Sequence, residues 1–123
     1  MAERFPQFNT NIKKQKMNLP NIISDLLIAQ ANFDSTSYAE CFSETALVFD
    51  ENEIHKGKNE IIIWNEKTNK MYETQLEALD FSVIEATNIL TTKVSGNFQG
   101  SPIVLKYHFE LKGGKIESLR ITG

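Results

Sequence analysis

The sequence predicts an α+β domain, with helices gathered in the first half of the chain and an antiparallel meander filling the second. Three observations carry this expectation. Apolar residues recur at helical spacing from Ile22 to Phe33 and again from Ile61 to Met71. Late in the chain Ile103, Leu105, Tyr107, Phe109 and Leu111 alternate with Val104, Lys106, His108, Glu110 and Lys112, the period of a strand with one buried face. Gly113–Gly114 then joins this run to a last one, Ile116 to Thr122, as a two-residue hairpin turn.

The elements follow in order. Residues 1–18 mix Asn, Gln, Lys and isolated Phe without a period, so they are expected to form a flexible arm, with Phe5 and Phe8 either free or docked on a groove. Residues 19–123 form the domain. A first helix should open near Pro20, because an opening turn does not need the missing N–H. Its stripe is Ile22, Leu26, Ala29 and Phe33, widened by Ile23 and Leu27. Asp34 and Ser35 can cap a second, short helix carrying Tyr38, Cys41 and Phe42. Ala46 to Asp50 reads as a strand, Glu51–Asn52–Glu53 as a turn, and Ile54 to Lys56 as its return. Gly57 breaks this hairpin from a third helix, roughly 58–71, whose buried stripe would be Ile61, Trp64, Thr68 and Met71. Leu79, Phe81 and Val83 begin the meander, a turn falls near Thr87–Asn88, and Leu90, Thr92, Val94, Gly96 and Phe98 form the next set before a turn at Gly100–Ser101–Pro102.

Composition narrows the function classes. At 123 residues the chain has the length of one domain with one real core. Hydrophobic residues make up 41% and charged residues 24%, and the formal charge of −3 provides no basic face for nucleic acid. Lys13, Lys14 and Lys16 form the one local basic run and read as a solvated tail. The single cysteine, Cys41, excludes an internal disulfide and any cysteine-based metal cluster, and fits a reducing, cytoplasmic setting. No apolar run suggests a signal peptide or a membrane span.

The element order and three stretches resemble the nuclear-transport-factor-2-like superfamily and its SnoaL-like and ketosteroid-isomerase-like members. One stretch is Asn32 to Asp50, similar to the family's helix break, short helix and first strand ending in an acid. The second, His55-Lys-Gly-Lys-Asn-Glu-Ile61, looks like the family's turn into the next helix. The third, Tyr107 to Ile116, looks like its final hairpin. The likeness covers Leu19 to Thr122. It implies a cone-shaped, half-barrel sheet packed against three helices around a pocket for a small, largely apolar molecule, and a homodimer, for which the outer sheet face with Val104, Lys106, His108 and Glu110 is the candidate surface unless that face is simply solvent-exposed. It also implies a choice among many activities, since one scaffold serves isomerases, cyclases, lyases and pure binders.

Asp50 shares a strand face with Ala46 and Val48. If that face is the concave one, burial raises the carboxyl's pKa toward what a general base needs. Otherwise Asp50 simply begins the turn at Glu51–Asn52. The resemblance places it where the isomerases keep their proton-shuttling aspartate. It places Leu26, which cannot donate, where they keep a donor tyrosine, and Tyr107 where they keep a second donor. Tyr107 is therefore either an oxyanion donor or a core residue. Tyr38 is a possible alternative donor, and Trp64, Phe98, Phe109 and Leu26 are expected to line the pocket. His108 should point away from it, and His55 should be exposed. No residues have metal-ligand spacing, so neither a metal nor a cofactor is expected. Two functions remain open: a cofactor-free isomerase, cyclase or lyase using Asp50, and a non-catalytic ligand-binding or dimeric interaction module.

Overall fold

The computed structural model describes residues 17–123. The expected arm, with Phe5, Phe8 and the lysine run, lies outside the described residues except for its last two. Of these, Met17 packs partly buried against the core.

Three helices, α1 (Asn21–Ala31), α2 (Ser35–Glu40) and α3 (Gly57–Tyr72), cover one side of a six-stranded sheet. Its strands are β1 (Phe42–Asp50), β2 (Glu53–Lys56), β3 (Gln75–Ile84), β4 (Thr87–Ser95), β5 (Ile103–Lys112) and β6 (Lys115–Thr122). They lie in the order β2-β1-β6-β5-β4-β3. Every pair is antiparallel except β1 with β6, where the last strand runs parallel to the first. The sheet curves without closing. Register shifts in β1, in β3 between Ala78 and Asp80, and at the end of β5 supply bends of the kind that extra, unpaired residues produce.

Helix punctuation follows local chemistry. Pro20 stands at the N-cap of α1, one position earlier than a first-turn proline. Asp34 caps α2, accepting from the Ser37 backbone N–H at 3.1 Å and the Ser37 hydroxyl at 2.7 Å. At the start of α3, Glu60 reaches back to accept from the Lys56 N–H at 2.7 Å. This satisfies a donor the first turn leaves orphaned.

The core lies between helices and sheet. Ile23, Leu26 and Ala29 of α1, Tyr38 and Ala39 of α2, and Ile61 of α3 pack on Phe42, Ala46, Val48, Leu90, Val94, Tyr107, Phe109, Ile116 and Leu119. Several expectations need correction here. Phe33 lies beyond α1 in a left-handed conformation (φ 52°) and is exposed, so the buried stripe is Ile23, Leu26, Ala29 and Gln30. Cys41 is the C-cap of α2 and Phe42 already belongs to β1, because the helix stops after six residues. The stripe of α3 is Ile61, Asn65 and Asn69, with Met71 exposed. In β3 the bulge at Leu79 moves the inner face from Leu76 and Ala78 to Phe81, and Val83 is exposed. The β3–β4 turn comes at Glu85–Ala86, two residues earlier than expected, with Glu85 at positive φ.

The inner alternation of β4 and β5 stands as read, with Leu90, Thr92, Val94, Tyr107 and Phe109 buried. Gly96 and Phe98 follow β4 in the loop. The outer face carries Val104, Lys106, His108 and Glu110 of β5, together with Arg120, whose guanidinium lies 4.2 Å from the Phe49 ring centre. Cys41 is a buried thiol donating to the Ser37 carbonyl at 3.5 Å, and burial pushes its pKa up to about 11. A protonated, buried thiol of this kind fits a packing role. Among the described helices none is long and apolar enough to cross a membrane.

Candidate functional site

A cavity of about 210 Å³ opens between the helices and the inner sheet face. Strand register explains how its chemical groups meet. In β1 the side chain of Asp50 falls on the same face as buried Ala46 and Val48. Val48 is level with Leu119 of β6, so continuing that register brings Asp50 beside Ile121. Ile121 pairs directly with Tyr107 of β5. Asp50 and Tyr107 are thus two strands apart in one cross-sheet row, with backbones roughly 10 Å from each other. Both line the cavity, and Tyr38 enters it from α2 above.

Trp64 on α3 has two aromatic neighbours, one of which leans on a further ring. Its ring stacks on His55 at 5.3 Å and meets Tyr38 at 6.1 Å, while Tyr38 lies 5.6 Å from Phe42. His55 is therefore largely covered and not exposed, because the indole lies over it. Among the described residues its buried Nε2 has no hydrogen-bond partner, and a carboxylate oxygen of Glu53 is 3.8 Å away.

The electrostatics follow from burial. Desolvation pushes the half-buried Asp50 carboxyl above its ordinary pKa, and the Glu51 charge adds to this. The Trp64 indole N–H and the nearby His55 pull in the opposite sense, and Glu53 adds a further small rise. Burial likewise raises Tyr107, reinforced by the Asp50 charge. Tyr38 is raised well above a normal phenol by burial, with Tyr107, Cys41 and Asp50 contributing. Both phenols consequently keep their protons and are available as neutral donors beside a carboxylate.

The expected site residues divide. Asp50, Tyr107, Tyr38, Trp64 and Phe98 line the cavity. Leu26 and Phe109 do not, being completely buried in the core, Phe109 with its ring 6.2 Å from that of Tyr107. His108 points away, as its strand phase requires. It shares a 2.9 Å hydrogen bond with Thr122, and burial first, then Lys106 and Arg120, lowers its pKa. Arg120 is likewise on the outer face, over Phe49. Among the described residues no group of acidic, histidine or cysteine side chains could hold a metal ion.

Sequence reasoning missed the polar wall. Gln30, Asn65 and Thr68 line the cavity opposite the sheet, and a buried amide ring stands behind them. Gln30 Nε2 donates to Asn69 Oδ1 at 2.8 Å and to the Thr74 carbonyl at 2.9 Å. Asn65 Nδ2 donates to Gln30 Oε1 at 3.0 Å, and Asn69 Nδ2 to Asn65 Oδ1 at 3.0 Å. Ser35 completes the ring by donating to Asn65 Oδ1 at 2.6 Å. The available signal was Asn65 and Asn69, one turn apart below Ile61. Asparagine is a poor helix former, so two in one stripe point to a use other than propensity.

Neither a protein-family model nor a curated protein matches the sequence. Solved structures do. A protein from Sinorhizobium meliloti, provisionally assigned as a polyketide cyclase, is 34% identical over 86% of this chain and 97% of its own, with a TM-score of 0.82. The epoxide hydrolase/cyclase-like enzyme SalBIII, described for pyran ring formation in the polyether salinomycin, is 18% identical with a TM-score of 0.73, over 89% of this chain and 91% of its own. A protein with a ketosteroid-isomerase-like fold from Catenulispora acidiphila, solved with trimethylamine, is 14% identical with a TM-score of 0.77, over 86% and 87% of the two chains. The last two are alike in fold alone. The chain belongs to the nuclear-transport-factor-2-like superfamily and its SnoaL-like family.

Proposed function

We propose that the protein is a cofactor-free enzyme that removes a proton from carbon next to a carbonyl in a small, mostly apolar ketone, as an isomerase, cyclase or lyase does. The observation that carries this reading is one desolvated carboxylate and two buried phenols lining the same cavity. The Asp50 carboxylate takes the α-proton, and the C–H electron pair moves onto the carbonyl oxygen. Tyr107 and Tyr38 donate hydrogen bonds to the oxyanion as it forms, where preorganised donors act most strongly. Where a neighbouring C=C extends the enolate, it takes the proton back from Asp50 at the γ-carbon; otherwise it attacks a second carbonyl to close a ring, and the alkoxide so formed takes the proton from Asp50. The assignment of the Sinorhizobium meliloti relative as a polyketide cyclase supports the ring-closing outcome. The cavity is smaller than the roughly 300 Å³ at which pockets for drug-sized ligands begin, so it suits a substrate of about one ring.

Exchange of ketone α-protons in heavy water tests this without knowledge of the natural substrate. Heptane-2,6-dione with the wild-type protein should lose α-proton NMR intensity faster than in buffer. Asp50→Asn should remove the acceleration, a loss on the order of 10²–10⁴-fold, and Tyr107→Phe should slow it by about 10²-fold or more. Binding of the dione with no accelerated exchange would support the non-catalytic alternative.

A further inference from the structure

The amide ring behind the cavity has a fixed sense of direction. A backbone carbonyl can only accept, so the Thr74 carbonyl forces Gln30 to present Nε2 to it. Gln30 Oε1 must then face Asn65, which forces Asn65 to present Nδ2. Asn65 Oδ1 is thereby turned toward Ser35 and Asn69, and Asn69 Oδ1 toward Gln30. No amide in the ring can flip without opposing two donors or two acceptors. Both N–H groups of Gln30 are used, whereas Asn69 Nδ2 faces Asn65 Oδ1 at 3.0 Å and Ser35 Oγ at 3.4 Å, two acceptors only 2.6 Å apart that share one N–H, and Asn69 does not line the cavity. Among the described residues Asn65 gives one N–H to the ring and nothing accepts the other, and it is 2% exposed while lining the cavity. Beside it, the Thr68 hydroxyl proton is already given to the Asn65 carbonyl at 3.0 Å. The helix-side wall therefore offers a buried donor held in place, facing a cavity whose sheet side holds Asp50 and Tyr107.

We propose that Asn65 is a second ligand anchor and that the ligand class is a small bifunctional ketone: one carbonyl at Asp50 and the tyrosines, and a second acceptor oxygen a few carbons away at the spare Asn65 N–H. This rests on the reading of Asp50 and the tyrosines as the reacting end. A buried N–H without an acceptor carries a desolvation cost, and a ligand oxygen relieves it. A monoketone does not.

The test compares heptan-2-one with heptane-2,5-dione and heptane-2,6-dione. Wild type should bind at least one dione about tenfold tighter than the monoketone, the scale of one hydrogen bond to a buried donor. Asn65→Asp replaces both Asn65 N–H groups by an acceptor, the one given to Gln30 Oε1 included, and should abolish the dione preference. Should that variant fail to fold, side-chain amide NMR of the wild type decides: the favoured dione should shift the Asn65 Nδ2 resonances and heptan-2-one should leave them in place. Equal binding of all three ketones, or Asn65 resonances unmoved by the diones, overturns the anchor and leaves the Asp50 reading standing. A dione preference without Asp50-dependent exchange sinks the catalytic reading alone. If none of the three ketones binds, both readings fall.

Discussion

At the scale of single residues, the proposed chemistry falls on Asp50, and so does the cost of burial. The carboxylate is half withdrawn from water, and its pKa is raised for that reason. A raised folded-state pKa means the fold favours the protonated acid. The stability Asp50 contributes is therefore greatest below its unfolded pKa of about 3.9 and is lost as pH rises through the higher folded value. Asp50→Asn keeps the shape without the charge. Its melting temperature relative to wild type should climb as pH rises from about 4 through the folded pKa, and then stay level. Thermal melts of both proteins across that range check it; a flat difference would place the carboxylate in ordinary solvation. Gaining stability while losing activity is the pattern expected of a residue kept for reaction and not for folding.

Elements position that residue, and one close approach shapes part of the cavity wall. The end of α3 touches the end of β4 where Asn97 N–H donates to the Tyr72 carbonyl at 2.7 Å, and the Tyr72 and Phe98 rings meet edge-on at 6.0 Å. Both rings line the cavity. The contact needs Gly96, because a Cβ there would stand 2.5 Å from the Tyr72 carbonyl oxygen, which is backbone and cannot swing aside. Gly96→Ala should cost about 1–3 kcal/mol, the range for forced overpacking, and should weaken ketone binding by moving the Tyr72–Phe98 pair. Denaturant unfolding and a ketone titration read the two effects. Wild-type values in both would show that the approach is not needed. The Gly113–Gly114 hairpin, by contrast, joins its strands with open space around each glycine, and both lie at positive φ. There the glycines serve the turn alone.

For the whole molecule, the helix–helix–hairpin–helix–meander order was legible because each element carries its own period or punctuation. Asp34 as a cap, Gly113–Gly114 as a turn and the Tyr107–Phe109 face are local facts, and the fold kept them. The parallel pairing of β6 with β1 was not legible, since register between the two ends of a chain leaves no mark in either strand alone. That pairing is what brings Asp50 into a row with Tyr107, so the site depended on the least visible contact. Leu26 is expected in the pocket because the resemblance sets it at a donor's position, and Phe109 because it shares a face with Tyr107; depth along the face, which neither a motif nor alternation can express, puts both in the core instead. The amide ring was missed because polar residues in a buried stripe look like an interruption until their partners, from Gln30 to Thr74, are brought together. Everything proposed for function turns on Asp50 being a desolvated base that faces the cavity. The most direct measurement is the titration of its side-chain carboxyl by carbon NMR, assigned against Asp50→Asn. A midpoint clearly above the aspartate norm of about 3.9, shifting when a ketone occupies the cavity, is the predicted result. A midpoint at or below that norm, insensitive to ketone, would contradict the account.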